Sequence, residues 1–136
     1  MTNKVVKAAV RIKLGLQDEL ELGNLDAYRD WGHSKDYVRA MHLILQQPEA
    51  GDWVVATGET RSVRDMCKYV FSSLGLDYKD YVVQNQKFLR PEELKYLKGD
   101  STRIRELGWK PEYTFESMMD EMVSHWLSVF QDKMLD

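Results

Sequence analysis

From Asn3 to Leu16 the apolar residues Val5, Val6, Ala9, Ile12 and Leu16 recur at helical spacing, while Lys4, Lys7 and Arg11 share another face and Gly15 stands near the exit. Glu19 to Leu22 alternates polar and apolar like a short strand, and Gly23-Asn24 opens an irregular stretch to about Lys35. A second helix is predicted over Asp36 to Gln46, with Ser34 as its N-cap and Val38, Met41 and Leu45 on its buried side; Pro48 and Gly51 end it. The apolar run Trp53 to Ala56 reads as a buried strand of a parallel sheet. Ser62 with Asp65 three residues on has the form of a capping box, and Val63, Met66, Cys67, Val70, Phe71 and Leu74 then repeat as a core face up to Gly75. A strand is predicted over Tyr78 to Val83, an irregular stretch around Phe88, and a short helix from Ser101 to Leu107 that Gly108 stops before Pro111. The last helix begins near Thr114. Its stripe of Phe115, Met118, Met119, Met122, Trp126 and Phe130 marks core or subunit contact. Helices joined by short strands give an α/β, or α+β-like, fold class.

Composition narrows this picture without changing it. A chain of 136 residues is the size of one domain, so residues 1–136 are expected to form a single unit, with no repeat or flexible linker to divide it. The 43% hydrophobic and 30% charged content is that of a globular chain able to bury a core. A net charge of -3 argues against a nucleic-acid or anionic-membrane surface, so any phosphate binding must be local. No apolar run approaches the roughly 20 residues of a membrane span, and no signal-peptide pattern opens the chain, which gives a cytoplasmic expectation. Cys67, the single cysteine, falls on a helical core face and reads as a buried small hydrophobe.

Motifs that would carry out a reaction are missing. There is no G-x-G-x-x-G turn to seat a dinucleotide, and none of the seven tyrosines has a lysine four residues later to lower its pKa. His33, His42 and His125 lie far apart without metal-ligand spacing, and no G-x-S-x-G elbow exposes a nucleophile. No catalytic residue and no metal ligand is therefore assigned. Two arginines do look chosen. Arg29 lies in LGNLDAYRDWGHSKDY beside Asp30, in a loop leading into a helix, where a guanidinium can fork onto a phosphate; a surface pair with Asp26 or Asp30 is the alternative. Arg90 lies in FLRPEEL, fixed by Pro91 and followed by Glu93; the alternative there is an ordinary helix start with a solvated charge pair.

Taken in order, AAVRIKLGLQ, LGNLDAYRDWGHSKDYVRAM, WVVATGETRSVRDM, FLRPEELKYLKGD and GWKPEYTFESMMDEMV resemble the C-terminal part of the GDP-mannose 4,6-dehydratases, over essentially the whole chain. The LGNLDAxRDWGHxKDYV run with ATGET and RPxE is close to specific for those enzymes among nucleotide-sugar proteins. The resemblance implies the C-terminal substrate-binding part of an extended short-chain dehydrogenase fold, with a few short strands and no complete Rossmann domain. It implies that Lys4 contacts the guanine base, that Arg29 meets the diphosphate, and that Arg90 and Glu93 bind diphosphate and ribose. Those roles agree with the chemistry of the groups: guanidinium grips phosphate, a carboxylate accepts from hydroxyls, and an ammonium donates to a carbonyl.

The family's NADP-binding half, its catalytic threonine and glutamate, its tyrosine–lysine pair and its N-H-E-S-P segment have no counterpart in these 136 residues. A further family loop residue falls at Met1. The chain alone is therefore expected to bind no cofactor, to be inactive, and to hold GDP-mannose or GDP weakly, with a separate NADP-binding half as a possible partner. A free-standing, non-catalytic nucleotide-sugar-binding or oligomerising module is the alternative. The ATGET strand, Trp53 to Thr57, is expected to have an open edge, which favours self-association, most simply as a homodimer.

Overall fold

Three helices with matching apolar faces build the main core. In the computed structural model, which describes residues 1–135, these are α1 (Thr2–Lys13), α3 (Val63–Ser73) and α5 (Phe115–Leu135). Val5, Val6, Ala9 and Val10 of α1, Met66, Cys67, Val70 and Phe71 of α3, and Met119 of α5 are buried without remainder. Met122 and Trp126 of α5 pack half-buried against the same cluster. The basic face of α1 lies on aromatic rings: Lys7 Nζ is 4.1 Å from the Trp126 ring centroid and Arg11 is 4.8 Å from that of Phe130. Ser62 caps α3 as its sequence predicts. Its hydroxyl accepts from Asp65 N at 3.0 Å, and the Asp65 carboxylate accepts from Ser62 N at 3.0 Å.

The strands are short and form two pairs. β1 (Leu20–Leu22) runs parallel to β4 (Val82–Gln84), with Leu20 opposite Val82 and Leu22 opposite Gln84. β2 (Tyr28–Arg29) runs antiparallel to β3 (Arg61–Ser62), and Tyr28 also bridges to Tyr96. A smaller core of Ala40, Ile104 and Trp109 joins α2 (Ser34–Leu45) to α4 (Thr102–Arg105), with Trp53 and Val55 packed on it. This mixture of helices and a few short strands is the α/β, or α+β-like, class that the sequence predicts. No described helix is long and apolar enough to cross a membrane.

Four local expectations are corrected. The N-cap of α2 is His33, not Ser34: the imidazole Nδ1 accepts from Lys35 N at 3.0 Å, while Nε2 meets Glu121 at 3.1 Å and the ring stacks on Tyr113 at 3.8 Å. Those contacts tie the helix start to α5, which no local pattern encodes. The stripe Val38, Met41 and Leu45 is also not the buried face of α2, which Ala40 with Tyr37, Leu43 and Ile44 supplies instead. Val38, Met41 and Leu45 are 56%, 58% and 81% exposed, whereas Asp36 and Ala40 point inward. A polar clamp sets that rotation: the Asp36 carboxylate accepts from Glu112 N at 2.9 Å, Tyr113 N at 3.2 Å and Arg39 at 2.6 Å, and Trp109 Nε1 donates to the Asp36 carbonyl at 2.9 Å.

Trp53 to Ala56 forms no strand: among the described residues its backbone joins no ladder, although Gly99 packs directly against Ala56 and Val54 faces outward between inward Trp53 and Val55. The strand predicted over Tyr78 to Val83 begins only at Val82. The Asp77 carboxylate accepts from Lys79 N at 3.0 Å and winds Tyr78–Asp80 into a 3-10 turn first.

Candidate functional site

The four residues singled out in the sequence converge. Lys4, Arg29, Arg90 and Glu93 all line one open cavity of about 310 Å3, with Leu22, Gly23, Asn24, Ala27, Trp31, Val63 and Phe88 among its other walls. Lys4 comes from the first turn of α1 and Arg29 from β2. Arg90 and Glu93 follow a 3-10 turn, Gln86–Phe88, which Asn85 anchors: its N–H donates to the Leu22 carbonyl at 2.8 Å, and its side chain accepts from Lys87 N at 3.0 Å. Gly23 makes that approach possible, because a Cβ there would stand 2.5 Å from the Phe88 carbonyl oxygen.

Arg29 is fixed from two sides. Its Nη1 donates to the Tyr28 carbonyl at 2.7 Å and the Leu94 carbonyl at 2.8 Å, and its Nη2 meets Glu93 Oε1 at 3.3 Å. Neither of the alternative partners, Asp26 or Asp30, holds it. Asp26 pairs with Arg64 at 3.1 Å, and Asp30 accepts from Thr57 N, Gly58 N and Gly99 N at 3.0, 2.9 and 3.4 Å, knitting three backbone segments together. Arg90 is exposed, and among the described residues it makes no hydrogen bond or ion pair; the segment around it is not helical, so the solvated helix-start reading does not apply. Lys4 rests over the Phe88 ring, 4.3 Å from its centroid. Two unpaired or loosely held cations and one anchored guanidinium thus face a shared space beside a carboxylate. That set suits an anion carrying hydroxyl groups.

Sequence reasoning missed Phe88, Trp31 and Asn24 as wall residues. A signal for Phe88 existed: an aromatic residue in an irregular polar stretch two positions before Arg90. A neighbouring cavity of about 220 Å3 shares Arg29 and Trp31 and adds Arg61 and Arg105. Its cations are already satisfied, Arg61 by Glu116 at 3.2 Å and Glu59 at 3.6 Å, and Arg105 by the Thr57 carbonyl at 2.6 Å and Ser101 Oγ at 2.9 Å.

The two groups whose proton affinity shifts most, Tyr69 and Cys67, line neither of these cavities. Burial, then the hydrogen bond to Asp120, pushes the Tyr69 phenol up to about 12, and burial pushes the Cys67 thiol up to about 12. Gly15, Gly75 and Gly108, with positive φ, follow helical segments, and Gly58 lies in the turn held by Asp30. None of them opens a helix after a strand, so these residues do not fit the pyrophosphate of a dinucleotide. Among the described residues no three His, Cys, Asp or Glu side chains gather as a metal site.

Comparison with known proteins places this geometry in context. The sequence profile of the family described as GDP-mannose 4,6 dehydratase matches residues 1–122. GDP-mannose 4,6 dehydratase 2 of Arabidopsis thaliana is 48% identical over 124 residues, which is 90% of this chain and 33% of that protein. The human GDP-mannose 4,6 dehydratase is 39% identical, over 90% of this chain and 38% of its own length. The chain thus spans about a third of the curated relatives it matches. Among solved structures, RMD from Pseudomonas aeruginosa, determined with NADPH, superposes with a TM-score of 0.83 at 27% identity, covering 94% of this chain and 42% of that one.

Proposed function

The chain belongs to the GDP-mannose 4,6-dehydratase family, and from that premise we propose that residues 1–136 are a single nucleotide-sugar-binding domain that holds the GDP moiety of GDP-mannose. Arg29 and Arg90 grip the diphosphate, Glu93 accepts from ribose hydroxyls, and Lys4 donates to a carbonyl of the base. One observation carries this reading: residues from three separate parts of the chain line the same 310 Å3 cavity. Binding is weak, because the cavity is open and only part of a ligand's surface meets protein.

The dehydration itself, and the NADP it uses in the family, belong to protein outside this chain, since these residues offer neither a dinucleotide cradle nor a tyrosine–lysine base. The purified chain is inactive on GDP-mannose with added NADP; turnover above a heat-killed control defeats that part of the reading. Titration calorimetry with GDP tests the rest. Removing one charge-assisted phosphate contact costs about 1.5 to 3 kcal/mol, so Arg29→Ala or Arg90→Ala brings weak binding to the edge of detection. Equal affinity for GDP in the parent chain and both variants rejects the assignment.

The alternative, a free-standing assembly module without chemistry, is favoured by the exposed apolar face of α2. Both readings include self-association as a homodimer.

A further inference from the structure

A site for a nucleoside diphosphate needs more than an anion grip and a hydroxyl acceptor, because a base is a flat, weakly polar plate that binds best against an aromatic face. Two rings line the cavity, Trp31 and Phe88. Trp31 is committed elsewhere, packed against the main core with its ring 6.1 Å from that of Phe115. Phe88 is not. It belongs to neither apolar core, it is 43% exposed, and it lines both the 310 Å3 cavity and a second hollow along α1.

An exposed aromatic ring is ordinarily mobile, yet this one sits on an anchored turn. Asn85 ties the turn to the end of β1, and the missing side chain at Gly23 lets the Phe88 backbone press against that strand end. The ring also carries two ammonium groups, Lys4 Nζ at 4.3 Å and Lys87 Nζ at 4.8 Å from its centroid. Lys87 has a second partner in Glu21 at 3.5 Å, whereas Lys4 has no ion pair among the described residues. A cation held only by a ring at an exposed site is held weakly and is readily displaced.

From this arrangement we propose that Phe88 is the stacking platform for the base of the bound nucleoside diphosphate. The base displaces the Lys4 ammonium from the ring, and that ammonium moves to the base's edge, where a ring carbonyl accepts its hydrogen bond. The inference rests on the nucleotide-binding reading above and adds to it the group that recognises the base. Stacking favours a purine over a pyrimidine, because the larger plate covers more of the ring.

Calorimetric titration with GDP and with inorganic pyrophosphate tests this in the parent chain, Phe88→Leu and Phe88→Tyr. Phe88→Leu weakens GDP binding about tenfold, within the range for one base–aromatic stack. Phe88→Tyr retains it, and pyrophosphate binds all three chains alike. In proton spectra, the H8 resonance of GDP moves upfield with the parent chain and not with Phe88→Leu. Unchanged GDP affinity in Phe88→Leu together with no upfield shift overturns the proposal. Parallel loss of GDP and pyrophosphate in Phe88→Leu also overturns it, since the ring then shapes the cavity rather than meeting the base. A parent chain that binds neither ligand overturns the nucleotide-binding reading itself, and this proposal with it.

Discussion

Asp36 is the residue on which α2 turns. Burial by itself raises the pKa of a carboxyl, but here it is outweighed by the N–H of Glu112, the Arg39 guanidinium and the N–H of Tyr113, which hold the group below its ordinary 3.8. A folded-state pKa below the unfolded one stabilises the fold above the ordinary carboxyl range, and that stabilisation is lost as pH falls below about 4. Asp36→Asn is therefore less stable than the parent chain by about 2 kcal/mol near neutral pH, and the gap narrows toward pH 3. Urea unfolding at both pH values measures it, and a constant gap counts against the clamp. The two arginines differ in the same physical way. Arg29 binds two backbone carbonyls and Glu93, while Arg90 has no partner among the described residues. Arg29→Ala thus lowers the thermal midpoint, with a loss of about 1 to 2 kcal/mol, and Arg90→Ala leaves it in place. Equal midpoints in the two variants contradict this division.

At the level of elements, α3 is the case in which local sequence and tertiary packing agree most closely. The reciprocal bonds of Ser62 and Asp65 satisfy two N–H groups at the helix start, and Ser62 also ends β3, opposite Tyr28 of β2. Ser62 is itself buried, so its hydroxyl cannot be replaced by water. Ser62→Ala costs about 1 to 2 kcal/mol, and Ser62→Thr, which keeps the hydroxyl, costs less; a thermal melt distinguishes them. Because β2 carries Arg29, a weakened α3 start also loosens the cavity. α2 shows the opposite relation: its helical period was legible, but the clamp at Asp36 turns Val38, Met41 and Leu45 outward and Ala40, Leu43 and Ile44 toward the second core.

For the whole molecule, surface area is the informative quantity. A self-contained monomer of 16.0 kDa exposes about 7,400 Å2, whereas this chain exposes 8789 Å2. The excess of roughly 1,400 Å2 is larger than the ~800 Å2 that one partner contributes to a standard interface. Val38, Met41 and Leu45 along α2 supply an apolar patch for such a contact. The chain is expected to self-associate at micromolar concentrations, and Met41→Glu to shift it toward monomer. Sedimentation equilibrium showing a single 16.0 kDa species for the parent chain at high micromolar concentration defeats this expectation.

Periodicity along the chain determined α1, α3 and α5, the buried state of Cys67 and the Ser62 cap, because each depends on residues within a few positions of one another. The motifs around Arg29 and Arg90 determined the family and the candidate residues. Tertiary structure alone decided that Lys4, Arg29, Arg90 and Glu93 share one cavity, that Glu93 rather than Asp26 or Asp30 faces Arg29, and that Phe88 stands beside them. It also decided the rotation of α2 and the absence of a ladder at Trp53 to Ala56. The physical reason is common to all of these. A helix face or a charged side chain is specified locally, but its partner is chosen by whichever distant backbone N–H, carbonyl or ring the packing brings within about 3 to 4 Å, and linear spacing does not encode that choice.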